Sequence, residues 1–551
     1  MRQTGHPAHP PNRGKDGGRL AHTPPCPEGI APVSAPMDCA HPPGESVSSQ
    51  NSKACPPMTD PKPPVPQPGL DPQDWAAFRQ TAHDLLDAAI DKMTANREGR
   101  VWTPFPAEMK AAFARPLPKE GQGEADLAAQ LAALLPYGVG NTHPRFFGWV
   151  HGSGTPQNML AEIVASAINA NAGGRDHGAI YVERQVIAWC REMFGFPETA
   201  SGLLVSGTSL ATVIAVKAAR DARLEFRSRK EGICGDRLVG YASAEAHACN
   251  PRAFDILGLG TDALRRIPVN DAYEMDTAAL RAAIQADREA GLTPFLVIGT
   301  AGTVNTGSTD PLAELSAIAK EENLWFHVDG AFGALARLSP AHAERFKAIE
   351  QADSVAFDFH KWLHVNYDAG CVLIRDGAHH RHAFSDRPDY LKGAERGIAA
   401  GNPWPVEYGP ELSRGFRALK VWSQIAGFGT AKLGEAIARN CDQAAYLSAK
   451  VAADTRFDLL APAKLNICCF RYRADGLDEA ALDALNEEIV IRLQESGIAA
   501  PSTTKLKGRV AIRINLTNHR TQHSDLDLLL TEIVKLGEDG DVRASLIPPR
   551  P

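Results

Sequence analysis

The sequence lacks a long apolar run. No stretch of its 551 residues approaches the ~18 consecutive apolar residues of a membrane-spanning helix. The first residues also lack the apolar core of a secretory signal peptide. A charge excess of one sign is missing too, because 58 basic and 65 acidic residues give a net charge of only −7. These absences favour a partner other than nucleic acid or a membrane.

Regularly spaced cysteines are also absent. The ten cysteines follow no repeating interval, and Cys468 and Cys469 are adjacent. A disulfide framework would need defined spacings, so we predict reduced thiols and a cytoplasmic protein. The histidines at positions 379, 380 and 382 have no second ligand cluster beside them, so we predict a solvated loop there and no metal site.

Large apolar residues are scarce in residues 1–70. Stretches such as "HTPPCPEGIAPVSAP" and "PKPPVPQPGLDP" are rich in Pro, Gly and Ser instead. This composition cannot bury a core, so we predict a disordered, Pro-rich tail. Met58 lies just before the composition changes, and we hypothesise that translation starts at or near it. An intact mass that includes residues 1–57 would refute this.

From residue 71 the composition is that of a folded protein. Apolar residues at helical spacing behind Asp71-Pro72 predict an amphipathic helix, the start of a helical segment over residues 71–144. Between about 145 and 424, short apolar runs alternate with helical patterns. This alternation predicts an α/β domain whose large, mostly parallel sheet is covered on both faces. Residues 425–540 change character and predict a smaller C-terminal α+β domain.

Three segments bring polar side chains to predicted strand ends. In "LLVSGTSLATV" the residues Gly207, Thr208 and Ser209 join a strand to a helix and offer an anion site that suits a phosphate, although plain N-capping explains this segment equally well. Asp329 ends the buried strand in "LWFHVDG", where an unpaired carboxylate would be costly. His247 follows another strand, and alone it is more typical of a structural histidine.

The fourth segment, "DFHKWLHVNYDAG", places Lys361 at a strand-end turn. Ligand sites of α/β folds gather at such turns, although a single lysine there is ordinary. Together the four segments supply a phosphate cradle, a carboxylate for a ring nitrogen, an imidazole for stacking and an amine for a Schiff base. This set matches pyridoxal 5′-phosphate.

Five segments carry a family resemblance, and they are "HPRFFGWVHGSGTPQNMLAEIVASAIN", "SGTSLATVIAVKAAR", "HVDGAFGA", "DFHKWLHVNYDAG" and "ELSRGFRALKVW". In this order they resemble the group II pyridoxal-dependent amino-acid decarboxylases, which include the aromatic-L-amino-acid and glutamate decarboxylases. The resemblance spans about residues 71–535. It implies an aminotransferase-like α/β architecture of fold type I. It also implies a homodimer in which residues 71–144 pack on the partner subunit.

The resemblance implies roles for individual residues. Lys361 resembles the lysine that forms the aldimine, and His360 its neighbour on the phosphate side. Asp329 resembles the partner of the pyridinium nitrogen, and His247 the imidazole that stacks on the ring. Further positions that match cofactor contacts are Thr208 and Ser209 at the phosphate and Thr303 near the cofactor.

Tyr390 bears on the reaction type. In "FSDRPDYLKGAERG" it matches a tyrosine that decarboxylases carry on a mobile catalytic loop, where a phenol can protonate Cα after CO2 leaves. This favours conversion of an L-amino acid to its amine. The alternatives are another carbon–carbon lyase reaction or a decarboxylation-linked oxidative deamination on the same scaffold. A cofactor-binding dimer without catalysis would lack one of the four cofactor groups, and none is missing.

The substrate is less well defined by the sequence. In relatives, the stretch equivalent to "HPRFFGWVHGSG" helps to line the substrate pocket, and here it offers Phe146, Phe147, Trp149 and His151. Aromatic side chains suit a planar substrate, so we favour aromatic amino acids. An acidic substrate such as glutamate, aspartate or cysteine sulfinate remains the alternative, because His151 would suit an acidic side chain. Where the family often has Asn and Pro before the His-Lys pair, this chain has Asp358 and Phe359, which changes the charge beside Lys361.

Overall fold

The computed structural model describes residues 69–386 and 393–540. All but the last two residues of the predicted tail therefore lie outside the described residues, and so does Tyr390. Within the described residues no helix is both long enough and apolar enough to cross a membrane. The described cysteines are all unpaired thiols.

Two sheets organise the strands. The strands are β1 Ser201–Val205, β2 Leu238–Ser243, β3 Leu264–Ile267, β4 Thr293–Thr300, β5 Trp325–Asp329, β6 Ser354–Asp358, β7 Gly370–Ile374, β8 Phe457–Ala461, β9 Ile467–Tyr472, β10 Ser502–Leu506 and β11 Arg509–Asn515. The first seven form one sheet in the order β1-β7-β6-β5-β4-β2-β3, and the last four form the other in the order β10-β11-β9-β8. The larger sheet is parallel from β3 to β6, whereas β7 runs antiparallel to both of its neighbours.

Helices complete both domains. They are α1 Trp75–Thr94, α2 Ala107–Ala112, α3 Glu124–Ala133, α4 Pro156–Ile168, α5 Gly178–Phe194, α6 Thr208–Arg223, α7 Ser228–Glu231, α8 Cys249–Ile256, α9 Thr277–Glu289, α10 Leu312–Glu321, α11 Phe359–Trp362, α12 Gly377–Phe384, α13 Arg417–Ala453, α14 Glu479–Ser496 and α15 His523–Glu538. Short 3-10 helices lie at Leu135–Tyr137, Thr261–Ala263, Gly333–Leu338, Ala343–Gln351 and Pro405–Tyr408. Residues 71–144 contain α1, α2, α3 and the 3-10 helix Leu135–Tyr137, and the packing of this segment on a partner subunit stays a prediction.

Side chains of the large sheet alternate between two apolar clusters. Leu204 and Val355 pack with α5 and α10 on one face, whereas Leu203 and Ala356 pack with α6 on the other. Because both faces are buried, the strands are continuous apolar runs, and the predicted fold class is confirmed. Strand β3 was not predicted from the sequence, since two arginines interrupt its apolar pattern at the edge of the sheet.

The smaller sheet is antiparallel throughout and packs against α14 and α15. The long helix α13 passes the predicted domain boundary at residue 424, and its backbone leaves helical geometry only at Gly429, with φ 71° and ψ 154°. A left-handed φ is readily adopted by glycine, so this residue permits the kink. The boundaries at 144/145 and 424/425 stay predictions.

The histidine group at positions 379–382 was predicted to be a solvated loop, and that prediction is wrong. The group lies on α12, and His380 is fully buried. Its two ring nitrogens contact Ser201 Oγ and the Tyr408 carbonyl, each at 2.7 Å. Burial lowers the pKa of His380 to about 3, so its ring is neutral at physiological pH. In the described part of the chain no three His, Cys, Asp or Glu side chains form a metal-binding group.

Candidate active site

Lys361 lies in α11, the single helical turn that follows β6. Its Nζ is 2.9 Å from Asp358 Oδ2. Burial alone would lower the pKa of this ammonium group, but the adjacent Asp358 carboxylate, with a smaller contribution from Asp329, raises it above its usual value. Without a bound aldehyde, Lys361 is therefore a protonated amine held by Asp358.

Asp358 joins the lysine to the start of α6. While Oδ2 contacts Lys361, its Oδ1 accepts the Thr208 backbone N–H at 2.7 Å. The approach is close enough to require glycine at position 370, where a Cβ would lie 2.6 Å from both Asp358 Oδ1 and Gly207 Cα. Asp358, at a position where the family often has Asn, thus connects Lys361 to the first turn of α6.

The first turn of α6 has the properties of a phosphate site. Thr208 is buried, and its Oγ1 has no hydrogen-bond partner among the described residues. The next residue, Ser209, is exposed, and the extended backbone at Gly207 leads directly into the helix. A helix N-terminus attracts anions, and an unpaired buried hydroxyl needs an acceptor or donor, so these residues fit a phosphate group.

His360 packs beside the lysine as a neutral ring. Its Nδ1 accepts the Ala369 N–H at 3.1 Å, which leaves the proton on Nε2, 3.7 Å from Asp358 Oδ2. Burial lowers the pKa of His360 despite the carboxylate. Its ring centroid lies 4.3 Å from that of Tyr367, a residue to which the sequence assigned no role.

Asp329 is the last residue of β5, and His247 lies four residues after the end of β2. Asp329 is buried, whereas His247 is only partly buried. Partial burial, together with the Lys361 charge, lowers the pKa of His247, while Asp329 opposes this shift. The imidazole is therefore neutral at physiological pH and is suited to cover a flat ring. These groups and the phosphate site together fit pyridoxal 5′-phosphate.

Trp149 and His151 of the substrate segment lie near each other, and their contact with a substrate stays a prediction. Trp149 is half exposed, and its ring centroid is 6.0 Å from that of His151, which in turn is 5.9 Å from Tyr367. Phe147 is fully buried in the apolar core of the smaller domain, so the expectation that it lines the substrate pocket is corrected. Phe147 and Trp149 are close in sequence, but one is buried and the other is half exposed. Local composition does not distinguish these two environments.

Thr303 is buried in the loop after β4. Its hydroxyl lies 2.8 Å from Ser308 Oγ and 3.2 Å from Thr306 Oγ1, so it is already engaged within its own loop. Its proximity to the cofactor stays a prediction. The same holds for Tyr390, which lies outside the described residues.

Arg513 on β11 is a functional candidate that the sequence did not reveal. This buried guanidinium donates from Nη1 to the Trp149 carbonyl at 3.0 Å and from Nε to the Val304 carbonyl at 2.7 Å. Its Nη2 has no partner among the described residues. Burial lowers the pKa of Arg513 to about 10, which leaves it cationic at neutral pH. A charged residue inside the apolar strand "RVAIRINL" was the available signal.

Asp358 yields a prediction about cofactor attachment. An amine must lose its proton before it can attack an aldehyde, and Asp358 holds Lys361 in the ammonium form. We expect Asp358→Asn to lower the pKa of Lys361 and to shift the pH dependence of attachment to lower pH, with roughly tenfold faster attachment at pH 7 for each unit of pKa shift. Stopped-flow absorbance of apoprotein mixed with pyridoxal phosphate measures this rate. An unchanged pH profile would contradict the expectation.

These groups define a pyridoxal-phosphate enzyme, and comparison with known proteins narrows the class. The family model described as "Pyridoxal-dependent decarboxylase conserved domain" matches residues 106–473. The chain therefore belongs to the pyridoxal-dependent decarboxylase family.

Individual relatives agree with this assignment. An aromatic-L-amino-acid decarboxylase of Bacillus atrophaeus is 32% identical over 467 residues, which cover 84% of this chain and 96% of that protein. A histidine decarboxylase of Drosophila melanogaster is 30% identical over 82% of this chain and 54% of its own length. A crystal structure of Oryza sativa TDC with PLP and tryptamine has a TM-score of 0.77 at 26% identity and covers 85% of this chain and 99% of that one.

Proposed function

We propose that this enzyme converts an aromatic L-amino acid to its amine and CO2. Pyridoxal phosphate supplies an electron sink when bound. Lys361 would hold its aldehyde end, the first turn of α6 would hold its phosphate, and Asp329 would keep its ring nitrogen protonated. The residues around this cofactor then have to orient one carboxylate and exclude competing reactions.

The row of aromatic rings beside Lys361 carries the substrate proposal. Trp149, His151 and Tyr367 follow one another at centroid distances near 6 Å. Such a row suits a planar side chain through stacking. Burial, followed by the charge of Lys361, lowers the pKa of His151. A neutral His151 offers no fixed positive charge to an acidic side chain, which disfavours glutamate and its analogues.

Arg513 provides a cation for the substrate carboxylate. It holds the carbonyl of Trp149 and retains one amino group without a partner among the described residues. A guanidinium suits a carboxylate because its N–H groups match the two oxygens. We therefore assign to it the orientation of the carboxylate that leaves as CO2.

A panel of L-amino acids assayed for the matching amines tests the proposed substrate class. We expect turnover of aromatic substrates and a kcat/KM for them at least about tenfold higher than for glutamate, aspartate or cysteine sulfinate, because stacking and a neutral His151 both favour planar apolar side chains. Turnover confined to acidic substrates would overturn the assignment.

Tyr390 distinguishes amine formation from oxidative chemistry. Two relatives carry names that differ on this point, since one is an aromatic-L-amino-acid decarboxylase and another is a phenylacetaldehyde synthase of Petunia hybrida. We expect Tyr390→Phe to lower amine release by about 10²-fold or more, the usual contribution of a positioned proton donor. Amine and aldehyde are quantified together with oxygen uptake. Unchanged amine formation would remove Tyr390 from the mechanism.

The proposal extends to assembly and location, namely a homodimer in the cytoplasm. Helix α1 has no buried residue, and α4 exposes Leu160, Ile163, Val164 and Ile168. Apolar surface of this extent is typical of an interface. Light scattering after size exclusion should give twice the chain mass, and a monomer would contradict it.

The free cysteines support a reducing compartment.

A further inference from the structure

Two residues of α8 contact one oxygen of the Asp329 carboxylate. Its Oδ2 accepts a hydrogen bond from Asn250 Nδ2 at 3.0 Å, and the Cys249 thiol lies 3.7 Å from the same oxygen. Among the described residues, the other oxygen, Oδ1, receives only the Ala331 N–H, at the longer distance of 3.3 Å. One oxygen is thus occupied by α8, while the other remains the better acceptor for an additional N–H donor.

Asn250 also contacts the second ring-binding residue. The same Nδ2 donates to the His247 carbonyl at 3.2 Å, and the Asn250 backbone N–H donates to that carbonyl at 3.1 Å. The Asn250 amide therefore touches both the residue that faces the ring nitrogen and the residue that covers the ring. A shift of this amide would affect the Asp329 carboxylate and the backbone from which the His247 imidazole projects.

Folding alone does not explain an asparagine at this position. Asn250 is completely buried, and its Oδ1 has no hydrogen-bond partner among the described residues. An unsatisfied buried carbonyl oxygen is unfavourable, and an apolar residue of similar size would avoid it. The Asn250 NH2 group, in contrast, donates a hydrogen bond to the Asp329 carboxylate. Such a bond is stronger than one between neutral groups, and it gives a reason for asparagine at this position.

We propose that Asn250 is a positioning residue that fixes the Asp329 carboxylate for the ring nitrogen of pyridoxal phosphate. It acts in the manner of the outer residues that orient metal ligands, by fixing the rotamer of the group that makes the direct contact. The inference rests on the cofactor assignment and not on the choice of amino-acid substrate.

Asn250→Leu tests the proposal, because leucine has a similar size and donates no hydrogen bond. We expect the dissociation constant of pyridoxal phosphate from the variant to rise about tenfold, since one charge-assisted hydrogen bond is lost. We also expect the pH midpoint of the visible absorbance band to rise, because a less firmly protonated ring nitrogen withdraws fewer electrons from the lysine-bound end. Both are read by absorbance on purified protein without substrate.

Asn250→Asp gives a signature that a purely structural residue would not produce. Two carboxyl groups about 3 Å apart share a proton at low pH, so the variant can still donate to Asp329. As pH rises and this proton is lost, the carboxylates repel each other. At low pH the variant should therefore bind the cofactor about as tightly as the unaltered protein does. As pH rises, the affinity of the variant should fall progressively below that of the unaltered protein at the same pH.

Asn486→Leu is the matched control. Asn486 is also completely buried, but it binds the backbone of Tyr472 in the smaller domain. Its loss should lower the melting temperature without changing cofactor affinity or the absorbance titration. If Asn250→Leu behaves in the same way, the positioning role is overturned. If the unaltered protein itself forms no visible band with pyridoxal phosphate, the cofactor assignment fails as well, and the two failures are thereby distinguished.

Discussion

Replacement of Lys361 by alanine is expected to remove the visible absorbance band of the bound cofactor and to lower amine formation on the order of 10⁴-fold, the upper range for one positioned acid–base group. The reason is that Nζ both attaches the cofactor and stands among the groups that exchange protons with the substrate. Borohydride treatment followed by peptide mass analysis should locate the modified lysine at position 361 in the unaltered protein.

Lys217→Ala is a suitable control for this experiment. Both lysine side chains are 22% exposed, and both pair with a buried aspartate, Lys217 with Asp221 and Lys361 with Asp358. Loss of either ammonium leaves a buried carboxylate with fewer partners, so a comparable loss of stability, about 1–3 kcal/mol, is expected in the two variants. Only Lys361→Ala should lose the band. A band retained in Lys361→Ala would mean that another lysine holds the cofactor.

Glu183→Gln is expected to give the largest loss of folding stability, about 3–5 kcal/mol, because it leaves the buried Arg414 guanidinium without its counter-ion. The two side chains form a bidentate pair with distances of 2.6 and 2.9 Å. Arg414 also donates to the carbonyls of Ala172 and Leu204, while Glu183 accepts the Leu204 N–H. The pair therefore fixes β1 to α5 just ahead of the phosphate site.

Urea unfolding of the cofactor-free protein measures this loss. The exposed pair of Arg281 and Glu321 provides the comparison, since its side chains are 43% and 59% exposed and Glu321→Gln should cost less than about 1 kcal/mol. Replacement of both Glu183 and Arg414 by leucine should recover part of the loss, because no unpaired charge then remains. A cost below about 1 kcal/mol for Glu183→Gln would show that water reaches Arg414.

The sequence was most informative about functional side chains that lie near the end of an apolar strand. Lys361, Asp329 and His247 could be placed near strand ends because an apolar run ends at or shortly before each of them, and parallel strands bring such ends to one edge. The contacts between these residues could not be placed, since Asn250 meets Asp329 across 79 residues and Glu183 meets Arg414 across 231. Phe147 was misassigned because local composition does not show which aromatic side chains turn inward.

Strand β1 has a consequence for biosynthesis. Within the described residues it lies at the edge of the large sheet and pairs only with β7. The Thr208 N–H that follows it is bound by Asp358, 150 residues further along the chain. At synthesis rates of ~5–20 residues per second, roughly 8–30 s separate the two halves of the phosphate site on the ribosome. During this interval the apolar strand has no sheet partner and is exposed to aggregation and to chaperones. The proposed phosphate site is therefore complete only after β6 and β7 have been synthesised.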